Sequence, residues 1–170
     1  ILTFAWTLKG MGDNLGIGEF VSGTVGANAT ASIFIPAVMF GIALFLAFST
    51  GTSWGTFAIL VPIVVEMFKM ADEKMMIIAV SAVLAGAVCG DHVSPISDTT
   101  IMSSAGAQSN HINHVQTQMQ YAMVVAAVCV AGYIIAGICK NWLITLVISA
   151  LILVAAILGI KKYYDKKESA

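Results

Sequence analysis

Gly90-Asp91-His92-Val93-Ser94-Pro95-Ile96-Ser97-Asp98-Thr99-Thr100 decides how this chain folds. The run carries two carboxylates, an imidazole and four hydroxyls, while residues 75–89 before it and 101–107 after it hold no charge. Ionisable groups between segments apolar enough for lipid are costly, and they mark functional positions.

Crossing a hydrocarbon core of roughly 30 Å takes about 20 apolar residues at 1.5 Å each. Residues 75–89 reach only about 22 Å, whereas a continuous helix to residue 107 would run about 50 Å with Pro95 deleting a backbone hydrogen bond inside it. A helix broken at the polar run, over residues 75–107, satisfies both limits. Unwound backbone survives at membrane depth only when buried in protein or facing a water-filled cavity, and transporters place ion and substrate sites at such breaks. The polar decade is therefore expected deep in the bilayer.

Composition leads to the same class, an all-α membrane protein. The chain is 59% apolar and 10% charged with a mean hydropathy of +0.93, whereas a soluble chain averages about 25% charged. A net charge of −1 and basic residues that are all lysine leave neither an electrostatic footprint for nucleic acid nor the bidentate arginine clamp for phosphate. Cys89, Cys129 and Cys139 are odd in number and sit in or at the ends of apolar runs, so they read as packing residues rather than a disulfide framework.

Outward from the break, residues 32–48 and 57–67 are apolar runs flanking Ser49-Thr50-Gly51-Thr52-Ser53-Trp54-Gly55-Thr56. Glycines and hydroxyls interrupt the helical pattern there. Two ordinary spans with a surface turn, or a re-entrant hairpin over residues 32–68, both fit; the hairpin is favoured because its second run, about 17 Å long, is too short to cross alone. Residues 117–160 read as two full transmembrane helices, and 161–170 as a lysine-rich tail in water. Residues 1–31 read as the end of a truncated helix followed by a glycine-rich surface connection with room for a short interfacial helix at 17–21. The start lacks the charged region and cleavage site of a signal peptide. Four lysines in the tail against Lys140 in the preceding turn put the C-terminus in the cytoplasm of a cell-membrane protein by the positive-inside rule.

The hairpin segment Ser49-Thr50-Gly51-Thr52-Ser53-Trp54-Gly55 and the break Gly90–Thr100, continued through Ile101-Met102-Ser103-Ser104-Ala105-Gly106-Ala107, together resemble the NhaC-type sodium/proton antiporters. The likeness covers most of the chain from residue 32 onward. It implies a secondary transporter of the wider ion-transporter superfamily with two inverted repeats, each holding a re-entrant hairpin and a broken helix. This chain would supply the second repeat, and its partners would be the bilayer and an N-terminal half of the same transporter, with a homo-oligomer also open to it. The family includes organic-acid exchangers of the malate/lactate type, so the resemblance leaves the cargo open.

The residues themselves suit a cation. A hard monovalent ion wants oxygen ligands, and this region offers carboxylates, hydroxyls and freed carbonyls. A half-helix ending near Gly90 aims its negative end at the gap, and one starting near Asp98 presents a positive end. Asp91 is the leading candidate for the ion or proton site, with a structural pairing to His92 as the alternative. Asp98 is the second sodium candidate, yet Asp98-Thr99-Thr100 is also a good helix-capping sequence. Ser94, Ser97, Thr99 and Thr100 in the break and Thr50, Thr52 and Ser53 at the hairpin tip are candidate ligands; hydroxyls also back-bond to helix carbonyls or serve as packing glue. Trp54 gates the site or sits in the interfacial belt, and His92 relays protons or holds Asp91 in place. Burial disfavours a charged carboxylate and an arriving cation favours it. Sodium and proton would therefore compete for one group, with no resident cofactor.

Other patterns carry less. Gly51-Thr52-Ser53-Trp54-Gly55 matches the serine-hydrolase elbow but lacks the strand that motif requires. His111-Ile112-Asn113-His114 has metal-compatible spacing but reads as a solvated or interfacial loop. Asp91 and Asp98 would suit an intramembrane aspartyl protease only if they met as a pair. Ala82, Gly86 and Gly90 line one helix face and read as a packing stripe.

Overall fold

The computed structural model describes residues 29–68 and 72–168, with Thr7, Met11 and Asn14 before them. The rest of the expected N-terminal connection, including the interfacial helix at 17–21, and residues 69–71 ahead of the broken helix lie outside the described residues. From residue 29 onward the described chain is helical throughout: α1 (Ala29–Thr50), α2 (Ser53–Phe68), α3 (Glu73–Val93), α4 (Asp98–Gly106), α5 (His111–Cys139) and α6 (Trp142–Glu168).

By length and composition, α1, α3, α5 and α6 can each cross a membrane, and α2 is shorter. Two helices are longer than the apolar runs that suggested them. The first arm of the supposed re-entrant hairpin has 22 residues, about 33 Å, a crossing length in its own right; α2 with 16, about 24 Å, is the short arm. The first half of the broken helix is likewise longer than its uncharged core. Asp72 accepts from the Lys74 amide and starts α3 at Glu73, and the helix holds to Val93, 21 residues in all. Pro95 sets the stop, because the residue before proline is pushed out of helical space, and Ser94 is extended at φ −74°, ψ 128°. The break therefore follows a helix of 21 residues, and Asp91 in its last turn is buried by protein.

Close approach of backbones fixes how the helices stack. A Cβ on Gly86 would collide with the Phe40 carbonyl and one on Gly90 with the Leu44 carbonyl. Four residues along α3 thus match four along α1 in the same direction, so the two run parallel. The Ala82/Gly86/Gly90 stripe is the seam that permits this contact, as small residues do between membrane helices. The short α2 returns beside them, its Leu60, Val64 and Phe68 packing in one core with Met75, Ala79 and Val83 of α3. Because α1 and α3 are parallel, the α1–α2 turn and the break arrive at the same end of the bundle.

Helix α5 closes the opposite side. Its Tyr133 hydroxyl donates to the Ser81 carbonyl at 3.0 Å, and Lys140, just past its end, pairs with Asp72 at the start of α3. The helix begins at His111, six residues before the expected start at 117, because Asn110 caps it by accepting from the Asn113 amide. Asn141 accepts from the Leu143 and Ile144 amides and starts α6. Among the described helices it packs on α5 alone, and it continues through the lysine-rich tail to Glu168. An apolar groove of about 940 Å³ lies between α3, α5 and α6, lined by Ile78, Val128, Cys129 and Leu146 among others.

Candidate functional site

A four-residue turn, 94–97, with Ser94 and Ser97 extended at its ends, joins α3 to α4 and is tied to its surroundings by side-chain bonds. Ser94 is fully buried and donates to the Phe48 carbonyl at 2.7 Å, tying the break to the end of α1. Gly51 at φ +68° lets the α1–α2 turn press against the break, where a Cβ would sit 2.8 Å from the Ile96 carbonyl oxygen. Thr100 donates to the His92 carbonyl at 3.2 Å, with the Asp91 carbonyl at 3.4 Å. These contacts hold the two half-helices, and the turn, around one carboxylate.

That carboxylate is Asp91, only 4% exposed in the last turn of α3. Its Oδ1 lies 2.7 Å from Ser97 Oγ and its Oδ2 lies 3.3 Å from Thr99 Oγ1, while the two hydroxyls are 2.7 Å apart. The three side chains form a closed ring of three oxygen–oxygen contacts. Ser97 donates to Oδ1 and Thr99 to Oδ2, so each carboxylate oxygen is met by a hydroxyl and the two hydroxyls are themselves in contact.

The other expected site residues divide cleanly. Ser97 stands at the N-cap of α4 but makes no cap hydrogen bond, since its hydroxyl serves Asp91. Asp98 is not the cap either. It occupies the first helical position, exposed, and accepts from the Thr99 amide at 2.8 Å. The structure does not join Asp91 and Asp98 in a shared-proton pair, which removes the geometric basis for the aspartyl-protease reading. His92 is turned outward with Nδ1 3.0 Å from the Val88 carbonyl, so it neither pairs with Asp91 nor braces it.

At the α1–α2 turn, Thr50 back-bonds to the Leu46 carbonyl at 2.8 Å. Thr52 takes the Gly55 amide at 3.4 Å as a cap of α2, with Ser53 half-buried beside it. Trp54 is 79% exposed and lies edge-on to Phe57, away from the ring around Asp91.

His111 was missed by reading its stretch as a loop, and Gln118 lay within the expected helix without being singled out. His111 places Nε2 2.8 Å from the Pro95 carbonyl and Nδ1 3.0 Å from Ser104 Oγ. Gln118, two turns on along the same face, has a buried side-chain oxygen with no hydrogen-bond partner among the described residues. The available signal was Asn110 as a helix cap, which would have put His111, His114 and Gln118 on one face. Among the described residues no cluster of three or more His, Cys, Asp or Glu side chains is placed to hold a metal ion.

Residues 1–138 match the Na+/H+ antiporter family. The chain is 44% identical over 162 residues to an uncharacterized protein of Haemophilus influenzae, covering 95% of this chain and 31% of the relative. It is 30% identical over 111 residues to the Malate-2H(+)/Na(+)-lactate antiporter of Bacillus subtilis, covering 62% of this chain and 23% of that protein. It therefore spans about a third or less of the length of these relatives. No solved structure matches it. A family match over most of the chain, together with four helices of crossing length among the described residues, makes this an integral membrane protein of the Na+/H+ antiporter family.

Proposed function

We propose that the chain carries the ion site of a secondary transporter that exchanges sodium for protons, with Asp91 as the group for which the two compete. The closed Asp91–Ser97–Thr99 ring carries this reading. A carboxylate gathered with two hydroxyls offers the hard oxygen ligands sodium prefers, and a carboxylate is also a group that a proton can occupy. One site cannot hold both. Competition alone moves nothing, so the site must open to each side in turn. The break and the α1–α2 turn, joined through Ser94 and Gly51, form the part proposed to move. The rest of a longer polypeptide, as in the relatives, would supply the facing inverted repeat. The lysines that end α6 favour a cytoplasmic C-terminus in the cell membrane.

The test is sodium-driven proton flux in proteoliposomes holding the complete polypeptide that carries this sequence. Asp91→Asn is expected to abolish the pH-dependent exchange while leaving membrane insertion intact. Unchanged flux in that variant removes Asp91 from the mechanism.

A second reading, exchange of organic acids on the same scaffold, is favoured by the similarity to the Bacillus subtilis malate/lactate antiporter. An organic acid needs a cationic or amide group for its carboxylate, which the Asp91 ring does not offer. Comparing sodium, lithium and dicarboxylates under an imposed pH gradient separates the two.

A further inference from the structure

We infer that His111 is a positioning residue for the Asp91 site, a strut from α5 that fixes both sides of the break. The inference rests on the sodium/proton reading only for what the site binds; the strut itself rests on geometry. Breaking a helix frees backbone carbonyls, which take donors from the protein or from water; Pro95 is exposed, so what its carbonyl gains from a side-chain donor is a fixed position. The Ser94 carbonyl takes the Ser97 amide at 3.3 Å and the Ser97 carbonyl takes the Ile101 amide at 3.0 Å. The Pro95 carbonyl is met by His111 Nε2 at 2.8 Å. A carbonyl only accepts, so Nε2 carries the proton. The other ring nitrogen faces Ser104 Oγ at 3.0 Å, in competition with the Ile101 carbonyl at 2.9 Å for the one hydroxyl proton.

These two bonds reach opposite sides of the site. Pro95 follows Ser94, which anchors the break to Phe48 of α1. Ser104 belongs to α4, whose first turn holds Thr99 and Thr100 and whose cap is Ser97. Apart from these histidine contacts α4 packs lightly, with Ile101, Met102, Ala105 and Gly106 exposed. A weaker link runs beside the first, Ser103 Oγ to His114 Nε2 at 3.4 Å. One imidazole thus sets how far the hydroxyls of α4 stand from Asp91 without touching Asp91 itself. Groups that orient ligands from behind typically change ion affinity more than they change folding.

The test uses the complete polypeptide in proteoliposomes and in nanodiscs. His111→Ala is expected to raise the KM for sodium about tenfold with a smaller change in maximal rate, and His111→Gln, which keeps one donor and one acceptor, to recover most of it. Amide hydrogen exchange over residues 94–100 is expected to accelerate in His111→Ala and return toward normal in His111→Gln. An unchanged KM with unchanged exchange in His111→Ala overturns the strut, as does a His111→Gln variant no better than alanine in either measurement. The exchange measurement needs no transport. Loss of protection in a protein that moves no sodium would therefore keep the strut and reject the sodium reading.

Discussion

Two polar interruptions sit side by side in this molecule, and their hydroxyls behave in opposite ways. At the α1–α2 turn, Ser49, Thr50 and Thr56 donate to the carbonyls four residues earlier, at 2.8, 2.8 and 3.0 Å. Each is satisfied by its own helix, as serine and threonine commonly are in membrane helices. At the break, Ser94, Ser97, Thr99 and Thr100 reach instead across to α1, to Asp91 or to the end of α3. A hydroxyl bonded to its own helix is already spent, whereas one bonded across a gap can exchange its partner for an ion. Polar residues in an apolar chain therefore do not all mark a site; the distinction lies in where their protons go.

That contrast can be broken by substitution. The widest gap is expected between Asp91→Asn, which stops exchange, and Thr50→Ala, which stays within about twofold because only a local back-bond is lost. Next, Ser97→Ala and Thr99→Ala are each expected to raise the KM for sodium about tenfold, the scale of one hydrogen bond to a charged group, measured as initial flux against sodium concentration. Equal effects from Ser49→Ala would erase the difference between the two regions.

Gly51→Ala probes the contact that joins them. An L side chain at a left-handed φ costs about 1–2 kcal/mol, and the new methyl would also meet the Ile96 carbonyl. The expected outcome is a lower thermal midpoint together with impaired exchange, read by thermal unfolding in detergent and by flux. The smallest effect belongs to Asp72, far from the break. The hydrogen bond from Lys140 holds its carboxyl below the usual carboxylate range. Its stabilising contribution is therefore present above that usual range and disappears as pH falls through the lowered value. Asp72→Asn should reduce the thermal midpoint slightly at neutral pH, with the difference from the parent closing in acid, and should leave sodium affinity unaltered.

Much of the fold was legible because apolar runs and their interruptions are one-dimensional signals. The break at Pro95, the turn at Gly51 and the packing stripe through Gly86 all follow from local chemistry. Helix ends were less legible. Asp72 and Asn110 cap α3 and α5 through side-chain bonds that a count of apolar residues ignores, so α3 came out longer than its uncharged core and α5 began at His111 rather than at 117.

Within the site, Asp91 stood out on its burial cost alone. The partnership with Ser97 and Thr99 rather than His92 depended on how α4 folds back, which no spacing rule supplies. His111 was hidden for a related reason: its partners Pro95 and Ser104 are brought to it only by the tertiary fold.

The most direct test is the count of protons released when sodium binds to the purified complete polypeptide in weakly buffered solution. Competition at the Asp91 ring predicts proton release that saturates with sodium, weakens as pH rises, and vanishes in Asp91→Asn. Sodium binding with no proton released, or release undiminished in Asp91→Asn, would contradict it.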